Sequence, residues 1–194
     1  MNKELIIRSG SDAVDFALLK DGKLIELHKE QETSNFQVGD IFIAKIRKPV
    51  AGLNAAFVNV GYEKDAFLHY HDLGPNLASQ LKFIKLVSAG KIKDFSLKTF
   101  QFEKEIDKDG AITDVLSSNQ SVLVQVVKEP ISTKGPRISA ELSLAGRFIV
   151  LVPFSDRVSI SQKIEDKKEK ERLKRLVQSL KPKGFGVIVR TVAE

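Results

Sequence analysis

The sequence predicts a mainly β protein with some α, an α+β chain, and three observations carry that prediction. Short apolar runs alternate with polar residues along most of the chain, the period of half-buried strands. Glycines, prolines and an Asp-Gly pair separate those runs, as turns require. One basic stretch instead places Leu173, Leu176, Val177 and Leu180 at i, i+3, i+4 and i+7, the spacing of one helix face.

In chain order, ELIIRS and AVDFALLKDGKLIELHKE read as strands, with Asp21-Gly22 as the hairpin turn between two alternating runs. The polar stretch QETSNFQVGD follows. IFIAKIRKPVAGLNAAFVNVGYEKDAFLHY then contains three strand-like runs divided by Pro49, Gly52 and the turn at Gly61, which makes a meander. Residues 72–119 lose a clear period: LASQLKFIKLVSAG admits a short helix, KDFSLKTFQFEKEIDKDG is polar, and the whole reads as an insertion. SVLVQVVKEP resumes as a strand ended by Pro130, and PRISAELSLAGRFIVLVP adds two more with a bend near Gly146. The amphipathic helix in IEDKKEKERLKRLVQSLKPKG stops at Pro182 and Gly184, and GFGVIVRT is a last strand with Arg190 and Thr191 at its edge.

At 194 residues with 42% hydrophobic and 29% charged content, the chain is sized for one or two globular domains. The absence of cysteine excludes disulfides and thiolate metal sites. MNKELIIRSGSD lacks the apolar core of a signal peptide, and no run approaches the roughly 20 apolar residues that span a bilayer, so a cytoplasmic protein without a membrane span is expected. The net charge of +6 is unevenly placed: residues 161–183 hold nine Lys or Arg against four Asp or Glu, whereas residues 1–37 hold five against seven. A local basic surface suits a polyanion.

No nucleophile, base and orienting acid can be assembled from three histidines and no cysteine, and no phosphate-cradling glycine loop is present, so no catalytic residue is expected. His69 and His71 bracket Tyr70 with Asp72 next, two metal-ligand types in a weak arrangement that reads better as a surface histidine pair; no metal site is expected. The pairs Glu103 with Glu105 and Asp107 with Asp109 lie in the most polar segment and read as solvated.

The meander places two aromatics oddly. Strand alternation groups Ala56, Val58 and Val60 on one face and leaves Phe57 with Ala55 and Asn59 on the wetter one; in the next run Ala66, Leu68 and Tyr70 share a face, and Phe67 falls with Asp65 and His69. Five strands with a long break before the fourth, Lys45 and Arg47 on the first and aromatics on the second and third resemble a five-stranded OB barrel. In that fold Phe57 and Phe67 would stack single-stranded bases while lysines track phosphates. Cover of both rings by the insertion or by a neighbouring domain satisfies alternation equally well. The basic helix likewise reads as a solvated face or as a surface for RNA phosphates. A guanidinium and a hydroxyl suit a terminal phosphate, which Arg190 and Thr191 would meet if they converge with the main chain around Gly146.

GLNAAFVNVGYEKDAFLH, VLVQVVKEPISTKGPRISAELSLAGRFIVLVP, SISQKIEDKKEKERL and GFGVIVRTVAE, in that order, resemble the N-terminal part of the bacterial ribonuclease E/G family. The resemblance covers the chain apart from about residues 74–110. It implies a magnesium-dependent endoribonuclease acting on single-stranded RNA in ribosomal RNA processing and messenger RNA decay, with an RNA-binding OB domain of the ribosomal-protein S-one type. It also implies a division into 1–37, a β hairpin that starts a ribonuclease H-like subdomain; 38–130, the OB domain with its insertion at about 72–119; and 131–194, a 5′-sensor region of strands, basic helix and strand. Carried over residue by residue, Phe57, Phe67 and Lys134 match RNA-contacting positions. Arg190 and Thr191 match the pair that grips a 5′-monophosphate, and Gly146 and Val150 match the lining of that pocket.

The implied partner is single-stranded RNA, preferably 5′-monophosphorylated, with homo-oligomers possible in full-length family proteins. The departures are specific. The family's magnesium-binding aspartates lie well beyond the VRT motif and are not in this sequence, and the zinc-link cysteines of some members are absent. Gln162 and Lys163 stand where many relatives have two arginines. The competing expectations are a free-standing RNA-binding adaptor and a protein-interaction module built on the same barrel. Whichever holds, the 194-residue chain is predicted to leave a 5′-monophosphorylated oligonucleotide intact in magnesium, and the appearance of defined cleavage products would contradict the carry-over.

Overall fold

A computed structural model describes residues 2–10, 13–31, 36–92, 96–131 and 134–194, and the chain divides into two compact units, 1–37 and 38–194. The polar stretch after the first strands lies partly outside the described residues, as does Thr133 of the TKG motif.

The first unit is an antiparallel sheet of β1 (Lys3–Ser9), β2 (Ala13–Lys20) and β3 (Lys23–Gln31), with β2 central. Positive φ at both Asp21 (50°) and Gly22 (75°) gives the two-residue turn whose twist matches the strands it joins. The Asn2 and Asp21 amides close its end, one donating to the Asp21 side chain and the other to the Asn2 carbonyl, both at 2.9 Å. Leu5, Ile6, Leu24 and Leu27 are exposed on this sheet.

In the second unit β4 (Ile41–Val50), β5 (Ala55–Asn59) and β6 (Ala66–His69) form the expected meander. After helix α1 (Leu77–Ser88) and the single turn α2 (Ile112–Val115) come β7 (Ser121–Lys128) and β8 (Arg137–Ser139). These five strands close a barrel in the order β4-β5-β6-β8-β7, around Ala44, Ile46, Ala56, Val58, Leu68, Val122, Val124 and Ile138, each 2% exposed or less. The closing strand, β8, lies past the boundary drawn at residue 130, since the barrel takes Arg137–Ser139 as its fifth strand. Ala55, expected on the wet face, is also buried, at the strand end between its register partners Val50 and His69.

The described residues of the 72–119 insertion form a flap bonded to the barrel. Asn54, at φ 43°, donates to the Gly110 carbonyl at 3.1 Å and accepts from the Ile112 amide at 2.7 Å, so one side chain replaces two backbone partners. Tyr70 points inward and donates to the Asp107 carbonyl at 2.6 Å. A Cβ on Gly110 would fall on that hydroxyl, which explains the glycine. From α1 the buried Gln80 donates to the Ala140 carbonyl (3.0 Å) and accepts from the Leu123 amide (3.3 Å), docking the helix on the barrel. Phe154, buried with φ 61°, packs edge-on against Phe83 and Phe100 at 5.5 and 6.2 Å. That cluster ties the flap to a second sheet.

The second sheet comprises β9 (Leu144–Ala145), β10 (Ile149–Pro153), β11 (Val158–Ile160) and β12 (Phe185–Val189), in the order β11-β12-β10-β9. Helix α3 (Lys167–Leu180) covers one face, its N-terminus capped by Asp166, which accepts from the Lys168 amide at 2.8 Å. Leu173 packs with Ile164, Val187 and Val189, while Leu176 and Leu180 of the same stripe remain exposed. β11 was not expected from sequence: three residues, VSI, are too few for alternation to register.

Two measurements test this packing. Burial, with the Asp107 carboxylate nearby, raises the Tyr70 phenol above its ordinary range. The folded chain therefore favours the protonated phenol, and this part of its stability is present below about pH 10 and lost as pH rises through the folded value. Tyr70→Phe is expected to cost about 1 kcal/mol at neutral pH and to flatten the alkaline fall in urea midpoint. A methyl at Gly135 would meet the Asp65 and Lys64 carbonyls where the barrel closes, so Gly135→Ala is expected to lower stability by about 3 kcal/mol; a loss under about 1 kcal/mol would show that this contact does not constrain closure.

Candidate nucleic-acid interface

β5 and β6 turn Ala56, Val58, Ala66 and Leu68 into the barrel, which leaves Phe57 and Phe67 outside. They are register partners, with ring centroids 6.1 Å apart at an interplanar angle of 69°, and Phe57 is 37% exposed. The insertion covers neither ring fully. Rings continue along β6: Phe67 to His69 is 6.4 Å, and His69 to His71 is 5.1 Å.

Register places charge beside the rings. Lys48 stands opposite Phe57, Arg137 opposite Phe67, and Lys128 opposite Arg137, so one row crosses all five strands. Lys48 joins it because β4 carries a bulge between Ile46 and Lys48: the extra residue, Arg47, shifts the alternation, and Arg47 and Lys48 are both exposed. The two arginines are held by carboxylates. Arg47 meets Asp65 at 3.0 Å, and Arg137 forks onto Asp72 through Nε (3.1 Å) and Nη2 (2.8 Å). Lys45, Lys48, Lys128 and Lys134 have no ion pair among the described residues.

Of the residues expected at an RNA surface, Phe57 and Phe67 lie together. Lys45 is exposed one step along β4, opposite Asn59. Arg47 is engaged with Asp65. Lys134 is exposed in the loop before β8, its amide donating to the Ile131 carbonyl at 3.0 Å. Sequence reasoning missed Lys48, Lys128 and Arg137. Lys48 requires the bulge, which an extra basic residue in KIRKP could have signalled; the other two require knowing how the barrel closes.

A second constellation lies on the other sheet. Val150 pairs with Ile188 on one side and Ala145 on the other, on the face away from α3, and Arg190 follows Ile188 with the same parity. Arg190 donates from Nη1 to the Gly146 carbonyl at 2.7 Å, while its amide donates to the Phe148 carbonyl at 2.8 Å. Gly146 itself donates to the Ile149 carbonyl at 2.8 Å, a tight turn that aims its own carbonyl at the guanidinium. Thr191 shares a hydroxyl hydrogen bond with Ser161 at 3.1 Å, and Ser161 is a polar neighbour not singled out from sequence. One of Arg190's five donors is used on a neutral carbonyl, which orients the exposed group without cancelling its charge.

Among the described residues, no group of three or more His, Asp or Glu side chains is placed to hold a metal ion, so no magnesium ligand set is assigned. Glu103 and Glu105 are not merely solvated: they pair with Lys82 at 2.6 Å and Arg157 at 2.7 Å. Among the same residues, no helix is long and apolar enough to cross a membrane.

The sequence profile described as Ribonuclease E/G family matches residues 143–194. Ribonuclease G of Salmonella typhimurium and Ribonuclease G of Escherichia coli K12 are each 32% identical over 194 residues, all of this chain and 36% of those proteins. Ribonuclease E of Nostoc is 37% identical over 163 residues, 84% of this chain and 20% of that protein. The chain thus spans about a third of the length of the ribonuclease G relatives it matches.

Proposed function

The chain belongs to the ribonuclease E/G family, and from that premise we propose that it is the RNA-binding and 5′-end-recognising portion of an endoribonuclease acting on single-stranded RNA. The observation that carries the reading is the row Lys48–Phe57–Phe67–Arg137–Lys128 across the barrel. Aromatic faces accept any base, lysines follow phosphates, and the mixture suits a flexible single strand better than a duplex. Arg137 and Arg47, pinned by Asp72 and Asp65, hold fixed donor geometry, while the lysines supply adaptable charge.

The 5′ end is assigned to Arg190 with Thr191, Gly146 and Val150. A terminal monophosphate offers a guanidinium a third non-bridging oxygen and a second charge that an internal phosphodiester lacks. The Gly146 carbonyl sets the orientation of the guanidinium, and the hydrogen-bonded pair of Thr191 and Ser161 hydroxyls, one O–H used between them, leaves one donor beside it. In the whole enzyme this portion would select substrates for ribosomal RNA processing and messenger RNA decay. The magnesium chemistry of cleavage is not assigned to residues described above.

The test compares one short RNA with a 5′-monophosphate or a 5′-hydroxyl. Phe57→Ala is expected to weaken both by roughly fivefold or more, and Arg190→Ala to weaken only the monophosphorylated form, by roughly tenfold. Lys48→Ala should reduce the slope of log affinity against log salt by about 0.7. An equal loss on both ends in Arg190→Ala would defeat the sensor assignment.

A further inference from the structure

We infer that the stacking platform does not end at Phe67 but continues through His69 onto His71, a line of four rings that holds about four bases and stops at an acidic cleft. The inference rests on the RNA reading of Phe57 and Phe67. The four side chains form one connected series, with neighbouring centroids at 6.1, 6.4 and 5.1 Å. Phe67 and His69 share a face of β6 by alternation. The strand then enters a single 3-10 turn, Tyr70–Asp72, which would ordinarily release the next side chain.

Two bonds hold that turn in place. His69 Nδ1 accepts from the His71 amide at 3.2 Å, and Tyr70, between them, is anchored inward on the Asp107 carbonyl. The His71 ring is therefore positioned by its neighbours while remaining exposed, and the Tyr70 ring stands edge-on to it at 6.2 Å. Its imidazole makes no hydrogen bond or ion pair among the described residues, so packing gives it no evident task. An exposed, pre-positioned imidazole is a base-stacking surface with little conformational entropy left to lose.

The far end of the line is marked by charge. His71 borders a cleft of about 520 Å³ whose wall carries four carboxylates, Glu105, Asp107, Asp109 and Glu141, against two cations, Lys108 and Arg157. Arg157 in the same wall is committed to Glu105 at 2.7 and 3.0 Å. Phosphodiesters are repelled there, so the stacked strand turns away after His71.

Affinities of oligouridylates of two to six nucleotides, at one salt concentration, test this with the full 194-residue chain. Wild type is expected to gain affinity up to about four nucleotides and then level. His71→Ala should lose roughly fivefold or more at four nucleotides and nothing at two, and His71→Phe should restore the loss, which a role in turn structure would not predict. Identical length dependence in His71→Ala and wild type, or failure of His71→Phe to restore, overturns the extension. Phe57→Ala run alongside separates the two levels: loss at every length keeps the platform, and no loss at any length removes the RNA reading and the extension together.

Discussion

The barrel closes through a short parallel contact, Phe67 opposite Arg137, with the Phe67 amide donating to the Pro136 carbonyl at 3.0 Å. The two strands approach there because Gly135 presents no Cβ to the Asp65 and Lys64 carbonyls. Everything on the outer surface inherits this closure. It brings a strand from residues 137–139 beside one from residues 66–69, and with it Arg137 and Lys128 into line with the two phenylalanines. An open sheet with the same five strands would leave Phe67 at an edge and the cations elsewhere.

Asp65 and Asp72 complete the arrangement by an opposite use of charge. Each lies beside an arginine of the exposed surface, and neither pair is buried, so their contribution to stability is small. Their effect is geometric: a guanidinium already bound to a carboxylate, through Nε in Arg47 and through Nε and Nη2 in Arg137, presents its remaining donors from one direction. The lysines of the same row have no such partner among the described residues and sweep a wider volume. The surface combines fixed and mobile cations around fixed rings.

Local pattern made the barrel's inner and outer faces legible. Alternation alone separates Val58 and Leu68 from Phe57 and Phe67, and the Asp-Gly turn announces the first hairpin. What stayed hidden is whatever depends on residues distant in sequence or on a break in period. Lys48 faces outward only because Arg47 is bulged. Arg190 meets Gly146 across 44 residues, a convergence that the chemistry of the two groups suggests and that only the fold supplies. The spacing of the α3 stripe marks one face of the helix without showing how much of it is covered: Leu173 is buried and Val177 packs beside it, while Leu176 and Leu180 stay exposed. β11 pairs in parallel with β12, a partner reached only after an intervening helix.

The two clamps at the base of the flap, Asn54 on Gly110 and Ile112, and Tyr70 on Asp107, join points more than thirty residues apart to neighbouring barrel strands. With both ends fixed, the chain between them is a closed loop, and the entropy of closing it grows only with the logarithm of its length. Lengthening exposed stretches of the flap is thus cheap in closure entropy, whereas removing the part that carries Leu77, Gln80 and Leu97 would strip buried side chains from the contact with the barrel.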